Sequence, residues 1–159
     1  NVLSAKKRPI KTIDYGFAGD ITTENVDSSR LIEFLEGGLT PVFCALTHDG
    51  KGGLLNTNAD TIASILAAAL TKEYKVSLVY CFEQKGVLSD FENRIVIDKI
   101  DHSSYQQLQR DGTITEGMIP KLDNAFDALK SGIEQVIVGH FSEVKELTLG
   151  KGIGTKIQL

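Results

Sequence analysis

The sequence predicts an α/β fold with a mainly parallel central sheet, on three observations. Residues 41–46 (Pro-Val-Phe-Cys-Ala-Leu) and 76–81 (Val-Ser-Leu-Val-Tyr-Cys) are almost continuously apolar, as expected of strands buried on both faces. Between them, Ile62, Ile65, Leu66, Ala69 and Leu70 fall on one stripe at helical spacing, which predicts an amphipathic helix. Strand, helix and strand at this spacing read as a βαβ unit.

The 159 residues suffice for about one domain, and a chain of this size can bury roughly 68–70% of its unfolded surface. A hydrophobic content of 42% and a charged content of 24% describe a soluble globular protein. The net charge of −4 argues against nucleic acid and anionic membrane as partners. No apolar run approaches the ~20 residues of a membrane span and no secretory leader is visible, so a cytoplasmic protein is expected. Cys44 and Cys81 lie in the apolar runs and are expected to be reduced and buried. His48, His102 and His140 show no ligand spacing, and no metal site is expected.

Along the chain, residues 1–27 carry Lys6, Lys7, Arg8 and Pro9 with little apolar periodicity. They read as an exposed connector, with a brief β segment around residues 20–23. Residues 28–159 form a second portion, which the resemblance drawn below implies is nucleotide-binding. A short helix starts at Ser28, with Leu31, Ile32 and Leu35 on one face and Gly37-Gly38 as its stop. After the first apolar run comes a polar, Gly-rich turn over 48–53, then the helix ending near Lys72. The second run is followed by a loop over 83–88, at the carboxyl end of its strand, where open α/β sheets bind ligands. Residues 90–102 look irregular or weakly stranded around Ile95, Ile97 and Ile100. Ser103 is placed to cap a short helix carrying Tyr105 and Leu108 and ending at Asp111-Gly112. A further helix carries Leu122, Ala125, Phe126 and Leu129 on one face, with Pro120 in its first turn, where a missing N–H does no harm. A third strand over 135–138, a short helix over 143–147 and a β segment over 154–159 complete the chain.

Two helix starts hold the candidate chemistry. Asn56, Asn58 and Asp60 come at every second position where the helix before Leu70 must begin. One side-chain cap satisfies a helix start, so the stretch has polar groups to spare. Lys121 falls in the first turn of its helix, where a cation opposes the macrodipole by ~0.3–1 kcal/mol. Gly117 just before it lets backbone approach a ligand, and backbone N–H groups with a lysine make a phosphate site. Each residue also has a plain structural reading: Asp60 as N-cap, Asn56 and Asn58 as turn residues, Lys121 as a solvated lysine, Gly86 as an ordinary connector.

Taken in order, Gly38-Leu-Thr-Pro-Val, Asn56-Thr-Asn-Ala-Asp60, Gly86-Val-Leu88, Gly117-Met-Ile-Pro-Lys121 and Gly152-Ile-Gly-Thr155 resemble the acetylglutamate kinases of the amino acid kinase superfamily. The similarity runs from about Asp14 to the last residue. The resemblance implies a three-layer α/β sandwich and phosphorylation of the side-chain carboxylate of an N-acyl-L-glutamate by ATP, in arginine biosynthesis. It implies Asp60 and Lys121 as catalytic residues, Lys121 on the migrating phosphoryl group and Asp60 holding the catalytic lysines. Asn56 matches a residue that binds the substrate's α-carboxylate, and Asn58 is assigned to the substrate beside it. Glu83, Gly86, Val87 and Leu88, with Gly117, Met118 and Lys121, match the two segments that hold the nucleotide. Magnesium would arrive on ATP, with no dedicated protein site, and a homodimer of the full-length protein is possible.

The chain departs from the family in lacking the half that supplies a Gly-rich phosphate loop, a second catalytic lysine and the grip on the acylglutamate. Gly37-Gly38 and Gly52-Gly53 do not replace it, and Glu83 stands where the family more often has Asp. The expectation is therefore a nucleotide-binding portion that binds ATP weakly and turns over little alone. A non-catalytic nucleotide-binding module, or a relative acting on another carboxylate or a carbamate, are the alternatives.

Overall fold

The computed structural model describes residues 1–114 and 117–159. The chain divides into two units, Asn1–Tyr74 and Lys75–Leu159.

In the first unit, β1 (Lys6–Lys7) pairs antiparallel with β2 (Gly19–Asp20). Helix α1 (Ser28–Glu36) starts at Asp27, whose carboxylate accepts from the Arg30 amide at 3.1 Å. β3 (Leu46–His48) and β4 (Leu54–Asn56) form an antiparallel hairpin. Helix α2 (Ala59–Leu70) follows. Leu3, Ala5, Ile21, Val26, Leu31, Leu55 and Ile62 make the core, with Ile65, Leu66, Ala69 and Leu70 packed against it. The predicted stripe of α2 thus faces this core. The Tyr74 hydroxyl donates to the Glu36 carboxylate, joining the ends of the two helices.

Three expectations are corrected here. Residues 41–46 are not a buried parallel strand: Leu46 alone of them enters β3, and Val42 is 93% exposed. With β3 paired antiparallel to β4, no βαβ unit links it to the next strand. The reason is local, since the Asp49 carboxylate accepts from the amides of Lys51 (2.7 Å) and Gly53 (2.9 Å) and folds the chain back at once. Finally, the first 27 residues are not uniformly exposed. Residues 6–17 are exposed, whereas Leu3, Ala5, Ile21 and Val26 are core, because Ala5 and Asp27 donate backbone bonds to His48 and Val2 that fasten the segment down.

The second unit is built on a four-stranded sheet. Its strands are β5 (Ser77–Phe82), β8 (Lys99–Ile100), β9 (Gln135–His140) and β10 (Gly154–Ile157), in the order β5-β9-β10-β8. β5–β9 and β10–β8 are parallel, and β9–β10 is antiparallel. β6 (Leu88–Asp90) and β7 (Ile95–Val96) form a separate hairpin that runs into the stretch expected to be irregular or weakly stranded.

Helix α3 (His102–Arg110) is capped by Asp101, not Ser103: the Asp101 carboxylate accepts from the Ser104 amide at 2.8 Å. Helix α4 (Ile119–Lys130) buries Leu122, Ala125, Phe126 and Leu129, as its spacing predicts. Tyr105 of α3 donates to Asp123 of α4 at 2.6 Å, and burial together with that carboxylate pushes its phenol well above the ordinary range. Helix α5 (Val144–Thr148) lays Leu147 against Gly139 and Gly154, where an added Cβ would lie 2.5 and 2.8 Å from it.

β5 is buried at Leu78 and Tyr80 and exposed at Ser77 and Cys81. Side chains alternate across a strand, so it is covered on one face rather than two. Cys44 and Cys81 are free thiols, as expected, but both are exposed.

Candidate functional site

The polar stretch of the first unit is organised by alternation along extended backbone. Asn56 and Asn58 are exposed and Thr57 between them is buried, its hydroxyl 2.8 Å from that of Thr47. The backbone of Asn56 is gripped from both sides, paired to Leu46 and donating its N–H to the Phe17 carbonyl at 2.8 Å. Asn58 is the N-cap of α2, its side-chain oxygen accepting from the Thr61 amide at 3.0 Å. The cap is therefore Asn58 and not Asp60. Asp60 sits one position into the first turn, half-buried, where the dipole favours a carboxylate.

In the second unit the two segments expected at a nucleotide meet. Gln84, Gly86, Val87 and Leu88 from the loop after β5 line one largely apolar pocket with Phe91, Thr113, Ile114 and Met118. Of the segment 113–121, residues 115 and 116 lie outside the described residues. Gly86 is there for close approach: a Cβ on it would stand 2.5 Å from Val96 and 2.7 Å from the Thr155 hydroxyl. Val87, 1% exposed, donates its N–H to that hydroxyl at 2.7 Å and accepts from the Ile97 amide at 2.8 Å. The loop is pinned to β10 and to the stretch after β7.

Beyond this pocket α4 begins. Met118 holds the N-cap position and Pro120 lies in the first turn; among the described residues no side-chain cap bond and no first-turn acid is found there. Lys121, half-buried, stands in that turn with Gly117 just ahead of it. Among the described residues that first turn carries a lysine and no acid, an arrangement that suits an anion.

A second pocket adjoins, sharing Gln84 and Leu88 and including Glu83, Lys85, Arg94 and His140. His140 accepts from the Ser142 amide at 3.2 Å through Nδ1, and Glu143 accepts from the Ile153 amide at 3.1 Å. Sequence reasoning found the loop and Met118 but not Phe91, Arg94 or His140, which reach the site from a hairpin and a strand end. Thr155 was visible only inside the Gly-Ile-Gly-Thr motif, and its invisible partner was Val87. Among the described residues no three His, Cys, Asp or Glu side chains gather to hold a metal ion. No helix among them is long and apolar enough to cross a membrane.

Comparison with known proteins decides the family. The model described as "Amino acid kinase family" matches residues 2–140. The chain belongs to the amino acid kinase family. Acetylglutamate kinase of Cytophaga hutchinsonii is 49% identical over 160 residues, covering 99% of this chain and 60% of that protein. Acetylglutamate kinase of Bacteroides fragilis is 49% identical over 139 residues, covering 87% of this chain and 52% of that protein. The chain thus spans little more than half the length of these relatives. Among solved structures, N-acetylglutamate synthase from Neisseria gonorrhoeae complexed with coenzyme A and N-acetyl-glutamate superposes with a TM-score of 0.83 at 23% identity. That match covers 100% of this chain and 37% of that one, and carries the fold alone. The α/β amino acid kinase fold expected from the motifs is the fold observed.

Proposed function

We propose that this chain is the nucleotide-binding portion of an acetylglutamate kinase, an enzyme that moves the γ-phosphoryl of ATP to the side-chain carboxylate of an N-acyl-L-glutamate. The observation that carries the reading is the meeting of Gly86–Val87–Leu88 with Met118 around one apolar pocket, next to the start of α4 and Lys121. The identity to enzymes named acetylglutamate kinase supports the choice of acceptor.

In this reading the apolar pocket takes the base, while Gly117, the start of α4 and Lys121 take the phosphates. Glu83 and Gly86 shape the loop that carries the nucleotide, and magnesium comes bound to ATP. Asn56 and the side-chain NH2 of Asn58 donate to the α-carboxylate of the acylglutamate, since the cap uses only the Asn58 oxygen. The nucleophile is itself a carboxylate, with an ordinary pKa near ~4.3, ionised at pH 7. The reaction needs no general base, only in-line placement and positive charge around the migrating phosphoryl group. Lys121 supplies part of that charge, and Asp60 orients the ammonium groups of the catalytic lysines. The proposed enzyme works in the cytoplasm.

The experiment is a coupled ADP-release assay on this chain with MgATP and N-acetyl-L-glutamate, N-succinyl-L-glutamate or carbamate. The proposal expects ATP binding with little turnover for the chain alone, and N-acetylglutamate-dependent turnover once the rest of the enzyme is supplied. Turnover with carbamate instead would overturn the choice of acceptor.

A further inference from the structure

Phe91 is 75% exposed, yet it lines the same pocket as Gly86, Val87 and Met118. The hairpin that carries it is built to hold it there. β6 and β7 pair with a register shift between Leu88 and Asp90, and such bulges re-aim side chains beside binding sites. Asp90 then closes the turn. Its carboxylate accepts from the Asn93 amide at 2.9 Å and from the Asn93 side chain at 2.7 Å, and these bonds hold it below the ordinary carboxylate range. Arg94 is the non-glycine residue in the left-handed region among the described residues, at φ 54°. Backbone in that region is sparsely populated and clusters at ligand sites. A large aromatic ring thus stands on a braced turn at the mouth of an apolar pocket.

We propose that Phe91 stacks on the purine ring of the bound nucleotide and positions it, an inference that rests on the nucleotide site proposed above. Every base presents a π-face, and an exposed aromatic on a fixed turn is the side chain that uses one. Gly86 and Val87, buried against Val96 and Thr155, hold the floor of the same pocket in place beneath the ring. Phe91 touches the base alone and takes no part in holding the phosphates.

The test is calorimetric titration of the chain and its Phe91→Ala and Phe91→Tyr variants with MgATP, and in parallel with magnesium tripolyphosphate, which lacks a base. Phe91→Ala is expected to weaken MgATP binding about tenfold, which is about 1.4 kcal/mol. Phe91→Tyr should bind like the parent, and tripolyphosphate affinity should be the same in all three. If Phe91→Ala binds MgATP as the parent does, the stacking is wrong while the nucleotide site stands. If tripolyphosphate binding falls in step with MgATP binding, Phe91 shapes the fold rather than reading the base. A parent chain that binds no MgATP overturns both readings together.

Discussion

The Val87 amide donates a buried 2.7 Å hydrogen bond to the Thr155 hydroxyl across 68 residues of sequence. Thr155 is 0% exposed and sits within β10, opposite Val138 of β9. One hydroxyl therefore fixes the height of the loop over the sheet. Thr155→Val removes the acceptor and leaves a buried N–H unpaired, at a cost of about 1–3 kcal/mol. Urea denaturation should show that loss with MgATP binding weakened as well, whereas Thr155→Ser should retain both.

Gly86→Ala should act on the same loop by crowding. The added methyl would meet Val96 at 2.5 Å and the Thr155 hydroxyl at 2.7 Å, and overpacking of this kind costs about 1–3 kcal/mol. The expected result is a lower thermal midpoint and weaker MgATP binding. A variant as stable as the parent would show that the loop yields freely.

Asn58 and Asp60 should separate stability from chemistry. Asn58→Ala removes the α2 cap and should cost about 1 kcal/mol in urea denaturation, while Asn58→Asp, also a good cap, should cost little. Asp60→Asn should leave stability near that of the parent but abolish phosphoryl transfer in the completed enzyme. Full transfer by Asp60→Asn would remove Asp60 from the mechanism.

Asp49 sets an acid limb on stability. Its carboxyl lies below the ordinary value of 3.8 because the amides of Lys51 and then Gly53 donate to it. A carboxyl depressed on folding stabilises above its unfolded pKa, and that contribution is lost as the pH falls through the folded value. The gap in thermal midpoint between the parent and Asp49→Asn should be full at pH 6 to 7 and shrink below about pH 4. A gap independent of pH would show that the charge plays no part in the β3–β4 turn.

The helices were legible because their stripes face a core: Ile62, Leu66 and Leu70 in α2, and Leu122, Ala125 and Phe126 in α4. The loop after β5 was legible because it follows an apolar run at the carboxyl end of a strand, where open α/β sheets bind ligands. Residues 41–46 misled because an apolar run has no period and does not say whether its side chains find a core. The hairpin signal that settles them, Asp49-Gly50, lies just beyond, in the turn. Asn58 and Asp60 could not be told apart as cap, since both residue types cap well and the helix start moves by one or two positions. Phe91 was missed because β6 and β7 are too short to show alternation.

In the proposed reading the second unit binds a nucleotide through the start of α4. Calorimetric titration of MgATP into the chain and into Lys121→Ala tests it most directly. Weak, saturable binding to the parent and at least tenfold weaker binding to Lys121→Ala are expected. Absence of binding to the parent, or equal affinity in the two proteins, would contradict it.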